Sequence, residues 1–526
     1  MRSTNIFLEF QISTNKQNVV IIGGGVSGMT TGVMLSDIDG LSVTLLEAEP
    51  KLGGIFRTPF TAPAFYYPSN REEMSILDKL IGNTTIVDEF YSDLKAAVKI
   101  LEDKEVIKGK YVIGFDNYVV EDEVQIQNTY GLDLLGYIPR ALAVGFAKWK
   151  IWQGSDFWYH TLYRMLAIYN LVELSDQLKT EIGNTGVQVH YDSRVIEVQD
   201  GHVVTDSGDV YPYDYLVFAS GGTGGNPGLQ KEVYGVELGT HELNKINNGI
   251  SLQTSLEKGW SYNKDLFAWY AEVVELKSGG VGPVLFQPGP GVMTVNRNGK
   301  RVYNEKRCYN ERGRVTLEEK ELLLISDKNN IIRNTPDYIP GKFNVYLPKM
   351  SEGKYIEAAN IDEMGQKIRN ESILSNLSDD FEIELLEQWG RYHSFVESGI
   401  DLEFKRGNDM GEVLDGGDPT IPPNSLLKNK ALAPIDEDNL VAIRLSPSSL
   451  DTCSGPTVDR SSRVQKLIVS PVDGSESLKP IANVFATGNA AEAILGGHYT
   501  APGLPISSGI VGAYRIYNSL KSIIEP

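Results

Sequence analysis

The sequence predicts an α/β fold with a Rossmann-like dinucleotide-binding unit. Three observations predict it: a strand–helix–strand pattern over residues 18–46, a glycine-rich turn within that pattern, and two later junctions at which a short apolar strand runs into glycine. Short apolar runs that alternate with helical segments are typical of a parallel sheet covered by helices.

The strand–helix–strand unit begins with residues 18–22, a β-branched run that stops at three consecutive glycines. Residues 26–36 follow with apolar side chains at helical spacing, and residues 42–46 form a second apolar run that ends at Glu47. Apolar runs of this length, bounded by glycine, indicate strands that are buried on both faces of a parallel sheet.

The later part of the chain contains further strand and turn signals. Residues 186–190, 194–198, 202–205, 214–219 and 484–487 have the composition of strands. The dipeptide Asn298-Gly299, between residues 292–296 and 300–303, predicts a hairpin turn. Residues 503–520 predict a closing helix with Pro505 in its first turn, where the missing N–H costs nothing.

The glycine-rich turn matches the G-x-G-x-x-G pattern between a strand and a helix. Glycine allows a tight turn and a close approach of the backbone to a pyrophosphate, while the helix N-terminus attracts phosphate charge. Glu47 lies 24 residues after Gly23, where a carboxylate can accept hydrogen bonds from ribose hydroxyls. The predicted dinucleotide-binding residues of this unit are Gly23, Gly25, Val26, Ser27, Gly28, Glu47 and Ala48.

Further glycine-containing segments favour FAD over NAD as the dinucleotide. The pair Gly53 and Gly54 follows shortly after Glu47, and no second G-x-G-x-x-G follows a strand elsewhere in the sequence. The two later strand-to-glycine junctions resemble the segments by which FAD-binding folds return the chain to the cofactor. They add the following residues to the predicted site: Ser220, Gly221, Gly222, Gly488 and Asn489.

Length and charge exclude several other classes of protein. The 526 residues are too many for one compact core, and 49 basic against 69 acidic residues give a net charge of −20, which disfavours a nucleic-acid or anionic-membrane partner. No apolar run reaches the ~18 residues that a membrane span needs, and residues 1–17 do not resemble a signal peptide. We therefore expect a soluble, cytoplasmic enzyme with a small-molecule substrate.

The spacing of cysteine and histidine predicts neither a metal site nor a disulfide framework. Cys308 and Cys453 are 145 residues apart, and the six histidines show no zinc-binding pattern. With no haem or metal relay in the chain, a redox cofactor has to meet its external electron donor or acceptor directly. The sequence does not identify that donor or acceptor.

The sequence resembles the FAD-dependent fumarate reductase and 3-ketosteroid dehydrogenase flavoproteins. Five segments in family order carry the resemblance: residues 23–28, 47–54, 219–222, 292–305 and 483–514. The resemblance implies a glutathione-reductase-type FAD-binding domain formed by residues 18–261 and 441–526, with a helical and aromatic insertion near residues 60–180. It also implies an inserted α+β substrate-cap domain at residues 262–440.

The segment at residues 498–503 resembles the ketosteroid dehydrogenase branch, in which a tyrosine four residues before a glycine polarises a ketone. The resemblance implies that the Tyr499 hydroxyl and the Gly503 N–H donate to a substrate carbonyl, with His498 beside them. A second tyrosine moves a proton at the α carbon in that family. Three candidates remain open here: Tyr262, Tyr270 and Tyr309. The resemblance further implies FAD contacts for Thr58, Val195, Leu504 and Ile506.

The cationic clamp by which fumarate reductases hold a dicarboxylate is missing. Its histidine and two arginines correspond here to Leu495, Tyr499 and Pro288, which rejects fumarate and succinate as substrates. Residues 54–58 lack the histidine to which succinate dehydrogenase relatives attach their flavin, which implies non-covalent FAD. The expected activity is oxidation or reduction of a C–C bond next to a carbonyl in a bulky hydrophobic substrate that is steroid-like, or polyketide- or terpenoid-like.

Two other functions are compatible with the same residues. One is a flavin-dependent isomerase that moves a double bond without net redox change. The other is a flavin-binding protein without turnover, in which Tyr499 packs under the flavin and His498 is structural. Anaerobic conversion of substrate without an added acceptor distinguishes the isomerase from the dehydrogenase.

Overall fold

The computed structural model describes residues 16–57, 71, 74, 77–78, 81–107, 171–240, 246–265, 267–284, 287, 289–307, 309–334, 347–407, 427–429, 431–498 and 503–526. The helices are α1 (Val26–Leu35), α2 (Thr84–Asp103), α3 (Leu171–Asn184), α4 (Pro227–Tyr234), α5 (Ile250–Lys258), α6 (Tyr309–Glu319), α7 (Lys328–Asn334), α8 (Ile361–Asn370), α9 (Phe381–Ser398) and α10 (Leu504–Ile524). Short 3₁₀ helices cover Gly54–Arg57, Glu437–Asn439 and Gly488–Ala490.

The strands are β1 (Gln17–Ile22), β2 (Leu41–Leu46), β3 (Gln188–His190), β4 (Val195–Gln199), β5 (His202–Thr205), β6 (Val210–Pro212), β7 (Tyr215–Phe218), β8 (Gly239–Thr240), β9 (Ala268–Glu275), β10 (Val281–Val284), β11 (Val292–Val295), β12 (Leu322–Asp327), β13 (Ile356–Ala358), β14 (Leu440–Thr452), β15 (Arg463–Val469) and β16 (Glu476–Ala486). Within the described residues they form three sheets.

The first sheet has the strand order β15-β16-β7-β1-β2-β3. All its pairs are parallel except the antiparallel pair of β15 with β16. Strand β1 is central because its last four residues are apolar and buried on both faces. The sheet therefore joins strands from the N-terminal 46 residues to β16 near the other end of the sequence.

Helices α1, α2, α3 and α10 cover one face of the first sheet and share one apolar core with it. Met29 and Val33 of α1 lie in this core with Ile510 of α10, and each is fully buried. The opposite face packs against α5 and the small antiparallel sheet of β4, β5 and β6. A sheet covered on both faces confirms the predicted α/β fold with a Rossmann-like unit.

The second sheet has the order β10-β9-β14-β12-β11, with β8 and β13 also paired to β14. Strand β14 is its longest member and runs antiparallel to β9, β12 and β13. It spans residues 440–452, beyond the predicted end of the cap at residue 440, and pairs with strands inside the predicted cap. The predicted domain limits stay a prediction.

The hairpin predicted at residues 292–303 forms only in part. The Gly299 N–H donates to the Asn296 carbonyl at 2.9 Å, as a tight turn requires, but Val295 and Arg301 form only a single isolated bridge. Strand β11 pairs instead with β12. The second arm does not continue the pairing, because the side chains of Arg301, on this arm, and Glu305, just after it, join a buried cluster of ion pairs.

That cluster surrounds the Glu305 carboxylate with two guanidinium groups. Its Oε2 atom lies 2.8 Å from Arg301 Nη2 and 3.1 Å from Arg406 Nη1, and all three side chains are fully buried. Arg301 also pairs with buried Asp401 at 2.9 Å. Burial acts to raise the pKa of Glu305, but the charges of Arg301 and Arg406 outweigh burial and lower that pKa to about 2.

None of the helices in the described ranges combines the length and the apolar character that a membrane crossing requires.

Candidate active site

The loop between β1 and α1 is compact because its glycines touch neighbouring backbone. A Cβ on Gly28 would lie 1.9 Å from the Gly23 carbonyl oxygen, and a Cβ on Gly23, at φ +105°, would lie 2.6 Å from the Ala219 carbonyl oxygen. These positions require glycine. Gly25 differs, because a Cβ there would meet no atom within 4 Å. The loop is therefore open at Gly25, which is the N-cap of α1.

Glu47 holds the glycine loop from the end of β2. Its buried carboxylate accepts hydrogen bonds from the backbone N–H groups of Gly24 at 2.8 Å and Glu49 at 2.9 Å. These hydrogen bonds of Glu47 shape the glycine loop. The hydrogen bond predicted between Glu47 and a ribose hydroxyl stays a prediction. Ala48 follows it and is partly buried.

The second glycine pair packs against the first loop. The Gly53 N–H donates to the Gly24 carbonyl at 2.9 Å, and a Cβ on Gly54 would lie 3.1 Å from the Gly25 Cα. The structure therefore brings these two predicted segments together. Thr58 lies outside the described residues.

The first strand-to-glycine junction follows β7 and lies beside the glycine loop. The Ala219 N–H donates to the Ile22 carbonyl at 2.9 Å, which fixes the start of residues 220–222. Gly221 has a φ of +77°. The Ser220 hydroxyl is buried, and no described residue bonds to it. A buried hydroxyl without a protein partner is open to a hydrogen bond with a water molecule or a ligand.

The second junction brings both ends of the sequence together. A Cβ on Gly488 or on Gly509 would lie 2.4 or 2.2 Å from the hydroxyl oxygen of Ser27, in the first turn of α1. The Thr487 hydroxyl donates to the Gly509 carbonyl at 2.9 Å. Small residues at these positions let β16, α1 and α10 approach closely.

A small cleft, with room for about one water molecule, lies beside this junction, between a strand of the second sheet and elements packed on the first. Trp269 of β9 comes from the second sheet, and the segment after β16 and the first turn of α10 come from the first. The lining residues of these two parts include Gly488, Asn489, Glu492, Ile494, Pro505 and Ser508. Burial raises the pKa of Glu492. Sequence reasoning did not single out Glu492, because its carboxylate has no pattern of its own within residues 483–514.

Gly503 begins α10 at a φ of +82° and is buried. Its carbonyl accepts hydrogen bonds from the N–H groups of Ile506 and Ser507, both at 3.1 Å. Leu504 is buried and Ile506 is partly buried, so both predicted residues lie in the first turn, near the cleft. Val195, at the start of β4, is buried in the core on the other face of the first sheet.

The three tyrosine candidates differ in burial. Tyr270 and Tyr309 are each only 2% exposed, whereas Tyr262 is half-buried. Tyr270 lies on β9, and its backbone N–H donates to the Asn310 side chain, next to Tyr309, at 2.8 Å. Burial raises the pKa of Tyr270, so its hydroxyl keeps its proton at neutral pH. All three remain candidates.

His498 is partly buried. Residues 499–502, which include Tyr499, lie outside the described residues. Burial lowers the pKa of His498, and the positive charge of Arg314 on α6 lowers it further. His498 is therefore neutral at neutral pH. The same arginine acts electrostatically on Tyr270.

One buried carboxylate, Asp451 near the end of β14, was not identified from the sequence. It accepts hydrogen bonds from the side-chain amides of Asn247 and Asn489, each at 2.9 Å. The Asn489 amide oxygen in turn accepts a bond from the Trp269 indole N–H at 2.9 Å. These contacts join residues far apart in the sequence, and no local pattern indicates them.

Comparison with protein families decides the class of this site. A family model described as an FAD binding domain matches residues 185–506, more than half of the chain. The chain belongs to this FAD-binding family. A second model, an NAD(P)-binding Rossmann-like domain, matches residues 21–66 and so covers the glycine loop.

Two curated enzymes are similar in sequence. The 4-oxocyclohexanecarboxylate 2-dehydrogenase of Sinomonas cyclohexanicum is 26% identical over 319 residues, which are 57% of this chain and 50% of that enzyme. The chain thus matches half the length of that relative. The 3-oxosteroid 1-dehydrogenase of Mycolicibacterium smegmatis is 22% identical over 602 aligned positions, covering 96% of this chain and 97% of that enzyme.

A solved structure shares the fold. It is the 3-ketosteroid delta1-dehydrogenase from Sterolibacterium denitrificans in complex with 1,4-androstadiene-3,17-dione, with a TM-score of 0.65, 15% identity and coverage of 97% of this chain and 100% of that one. Similarity at this level of identity establishes the fold.

The FAD-binding family agrees with the residues of the glycine loop and of the junction after β7. FAD is a pyrophosphate dinucleotide, and the loop at Gly25 offers open space at the N-terminus of α1, where helix N–H groups attract phosphate. Ser220 supplies a buried hydroxyl without a partner among the described residues. FAD is the cofactor of this chain, and the individual contacts predicted above stay predictions.

Proposed function

We propose that this chain is an FAD-dependent oxidoreductase that removes or adds hydrogen across a carbon–carbon bond next to a ketone. The observation that carries the proposal is the match of residues 185–506 to the FAD-binding family, and the small cleft at α10 and Trp269 marks where the cofactor junction meets the second sheet. The two sequence relatives support it, because both are dehydrogenases whose named substrates are oxo compounds with six-membered rings.

The reaction we propose needs a polarised ketone. Tyr499 and Gly503 donate hydrogen bonds to the ketone oxygen, and the N-terminus of α10 adds the positive end of its dipole. Both effects stabilise negative charge as it develops on that oxygen. When bound, FAD supplies hydride acceptance or donation at the carbon β to the ketone. A cap tyrosine, Tyr262, Tyr270 or Tyr309, holds or moves the proton at the α carbon.

We propose a bulky, hydrophobic, ring-shaped substrate. Leu495, which resemblance places at the histidine of the dicarboxylate clamp, is 2% exposed and packs in the core of the first sheet. The aromatic side chain of Trp269, which lines the cleft, favours an apolar ligand. The electron donor or acceptor is external and of unassigned chemistry.

The purified protein is expected to be yellow, and denaturation is expected to release its flavin. Non-covalent FAD separates from an unfolded chain, so the supernatant should carry the absorption and mass of FAD while the precipitate is colourless. A colourless protein that does not take up added FAD would refute the cofactor assignment and the proposed function together. Flavin that stays with the denatured chain would refute only the non-covalent state.

Tyr499→Phe is expected to lower kcat about 10²- to 10³-fold on cyclic 3-oxo substrates, since it removes one oxyanion donor. Anaerobic bleaching of the flavin on mixing with substrate measures the reductive step directly. Tyr211→Phe is the matched control, because the Tyr211 hydroxyl, on β6 of the small sheet, contacts His190 of β3 at 3.2 Å and is not among the proposed site residues. Equal rates for wild type and Tyr499→Phe would contradict the assigned role, and substrate isomerisation without bleaching would favour the isomerase.

A further inference from the structure

Three segments of the chain converge on Asp451. Its Oδ2 atom accepts bonds from the amides of Asn247 and Asn489, each at 2.9 Å. Its other oxygen lies beside the glycine junction after β7, because a Cβ on Gly222 would lie 2.9 Å from Asp451 Oδ1. The Thr452 N–H completes the shell at 2.8 Å.

These bonds connect the second sheet to the FAD-binding part of the chain. Asp451 lies on β14 of the second sheet, whereas Gly222 and Asn489 follow β7 and β16 of the first sheet. Both residues are among the predicted contacts of FAD. Replacement of any of these partners would therefore change the position of a cofactor loop relative to the sheet that carries Trp269.

Asp451 also determines the orientation of the Asn489 amide. The amide nitrogen faces the carboxylate, and the amide oxygen accepts the bond from the Trp269 indole N–H at 2.9 Å. An ionised carboxylate has no hydrogen to donate. The reversed orientation of Asn489 would therefore place its amide oxygen against the carboxylate, so that two acceptors would face each other. Asn489 and Trp269 both line the cleft.

The charge of Asp451 is not neutralised by an ion pair among the described residues, although the side chain is only 3% exposed. Burial raises the pKa of Asp451 to about 6, so the group is ionised at pH 8. Desolvating a carboxylate with only neutral donors destabilises a fold. The location of such a group beside two cofactor loops calls for a functional explanation.

We propose that Asp451 is a positioning residue that holds Asn489 and the Gly222 loop in their FAD-binding arrangement and whose negative charge lowers the reduction potential of bound FAD. A buried negative charge opposes the addition of electrons to a nearby cofactor, because Coulomb interactions are strong where water is excluded. This inference rests on the FAD site assigned above, and its test needs no substrate.

The test compares wild type with Asp451→Asn and with the double variant Asp451→Asn/Asn489→Asp. Apoprotein is titrated with FAD by fluorescence, and the midpoint potential of the bound flavin is measured at pH 8 against a reference dye. In Asp451→Asn, an amide replaces an acceptor that served two donor amides, so FAD affinity should fall about tenfold or more. The midpoint potential should become more positive.

The double variant exchanges the acid and the amide and keeps both the hydrogen bond between them and the charge. Because Asn489 is itself a predicted FAD contact, the readout of this variant is the midpoint potential, which we expect to return toward the wild-type value as the buried negative charge is restored. A potential unchanged in Asp451→Asn, with only the melting temperature of the apoprotein lowered, would overturn the proposal, since a merely structural role moves stability alone.

If Asp451→Asn does not fold, Asn247→Ala serves as the second variant, because it keeps the charge and removes one donor to Asp451 without changing a predicted FAD contact. Weaker FAD binding with an intact fold then supports the positioning role, and wild-type binding overturns it. If the wild type showed no dehydrogenase activity on any ring ketone tested, the proposed function would be refuted. The measurements of FAD affinity and midpoint potential would remain valid.

Discussion

Replacing Glu305 by glutamine is expected to lower the free energy of unfolding by about 3–5 kcal/mol. The carboxylate lies 2.8 Å from Arg301 Nη2 and 3.1 Å from Arg406 Nη1, and all three side chains are fully buried. A neutral amide would leave these two guanidinium groups with Asp401 as their remaining buried anion. Urea denaturation, followed by tryptophan fluorescence, measures the loss.

The loss should shrink at low pH. Since the folded-state pKa of Glu305 is lowered from 4.5 to about 2, its stabilising contribution is complete above pH 4.5 and disappears as the pH falls toward 2. Wild type loses this contribution over that window, whereas Glu305→Gln has none to lose. A difference between the two proteins that is as large at pH 2 as at pH 7 would contradict this account.

Glu384→Gln is the matched control for Glu305→Gln. Glu384 pairs with Lys300 at 3.4 Å, and both side chains are solvent-accessible, so the attraction is screened by water. We expect this variant to lose less than about 1 kcal/mol. Equal losses in the two variants would mean that the buried ion pairs contribute no more than a surface pair.

Gly28→Ala is expected to weaken FAD binding about 10- to 100-fold, which corresponds to about 1–3 kcal/mol of packing strain. The new Cβ would lie 1.9 Å from the Gly23 carbonyl oxygen, so the glycine loop has to shift. In the apoprotein the glycine loop can shift to relieve this contact. The loop conformation that binds the pyrophosphate retains the contact, so the strain weakens FAD binding. Fluorescence titration of the apoprotein with FAD measures the affinity.

Gly183→Ala tests whether the effect of Gly28→Ala is local. Gly183 is exposed in α3, and a Cβ there would meet no atom within 4 Å. Its replacement should leave FAD affinity unchanged and favour the helix slightly. Wild-type affinity in Gly28→Ala, or an equal loss in both variants, would refute the role assigned to the glycine loop.

Local patterns were sufficient for the α/β fold and for the elements of the glycine loop. Strand β1 could be predicted because a β-branched run before three glycines has few alternative structures, and α10 because Pro505 stands at its start. The second arm of the hairpin could not be predicted. Its course depends on Arg406, 101 residues beyond Glu305 and without any local signal.

The sequence by itself determined the fold class and the FAD family signature of this protein, because short-range periodicity and glycine spacing express backbone geometry directly. Only the tertiary structure decided which side chains line the cleft, that Glu47 supports the glycine loop, and that Asp451 joins residues near positions 222, 247 and 489. Hydrogen bonds between residues hundreds of positions apart depend on how the sheets pack, and that packing leaves no local pattern.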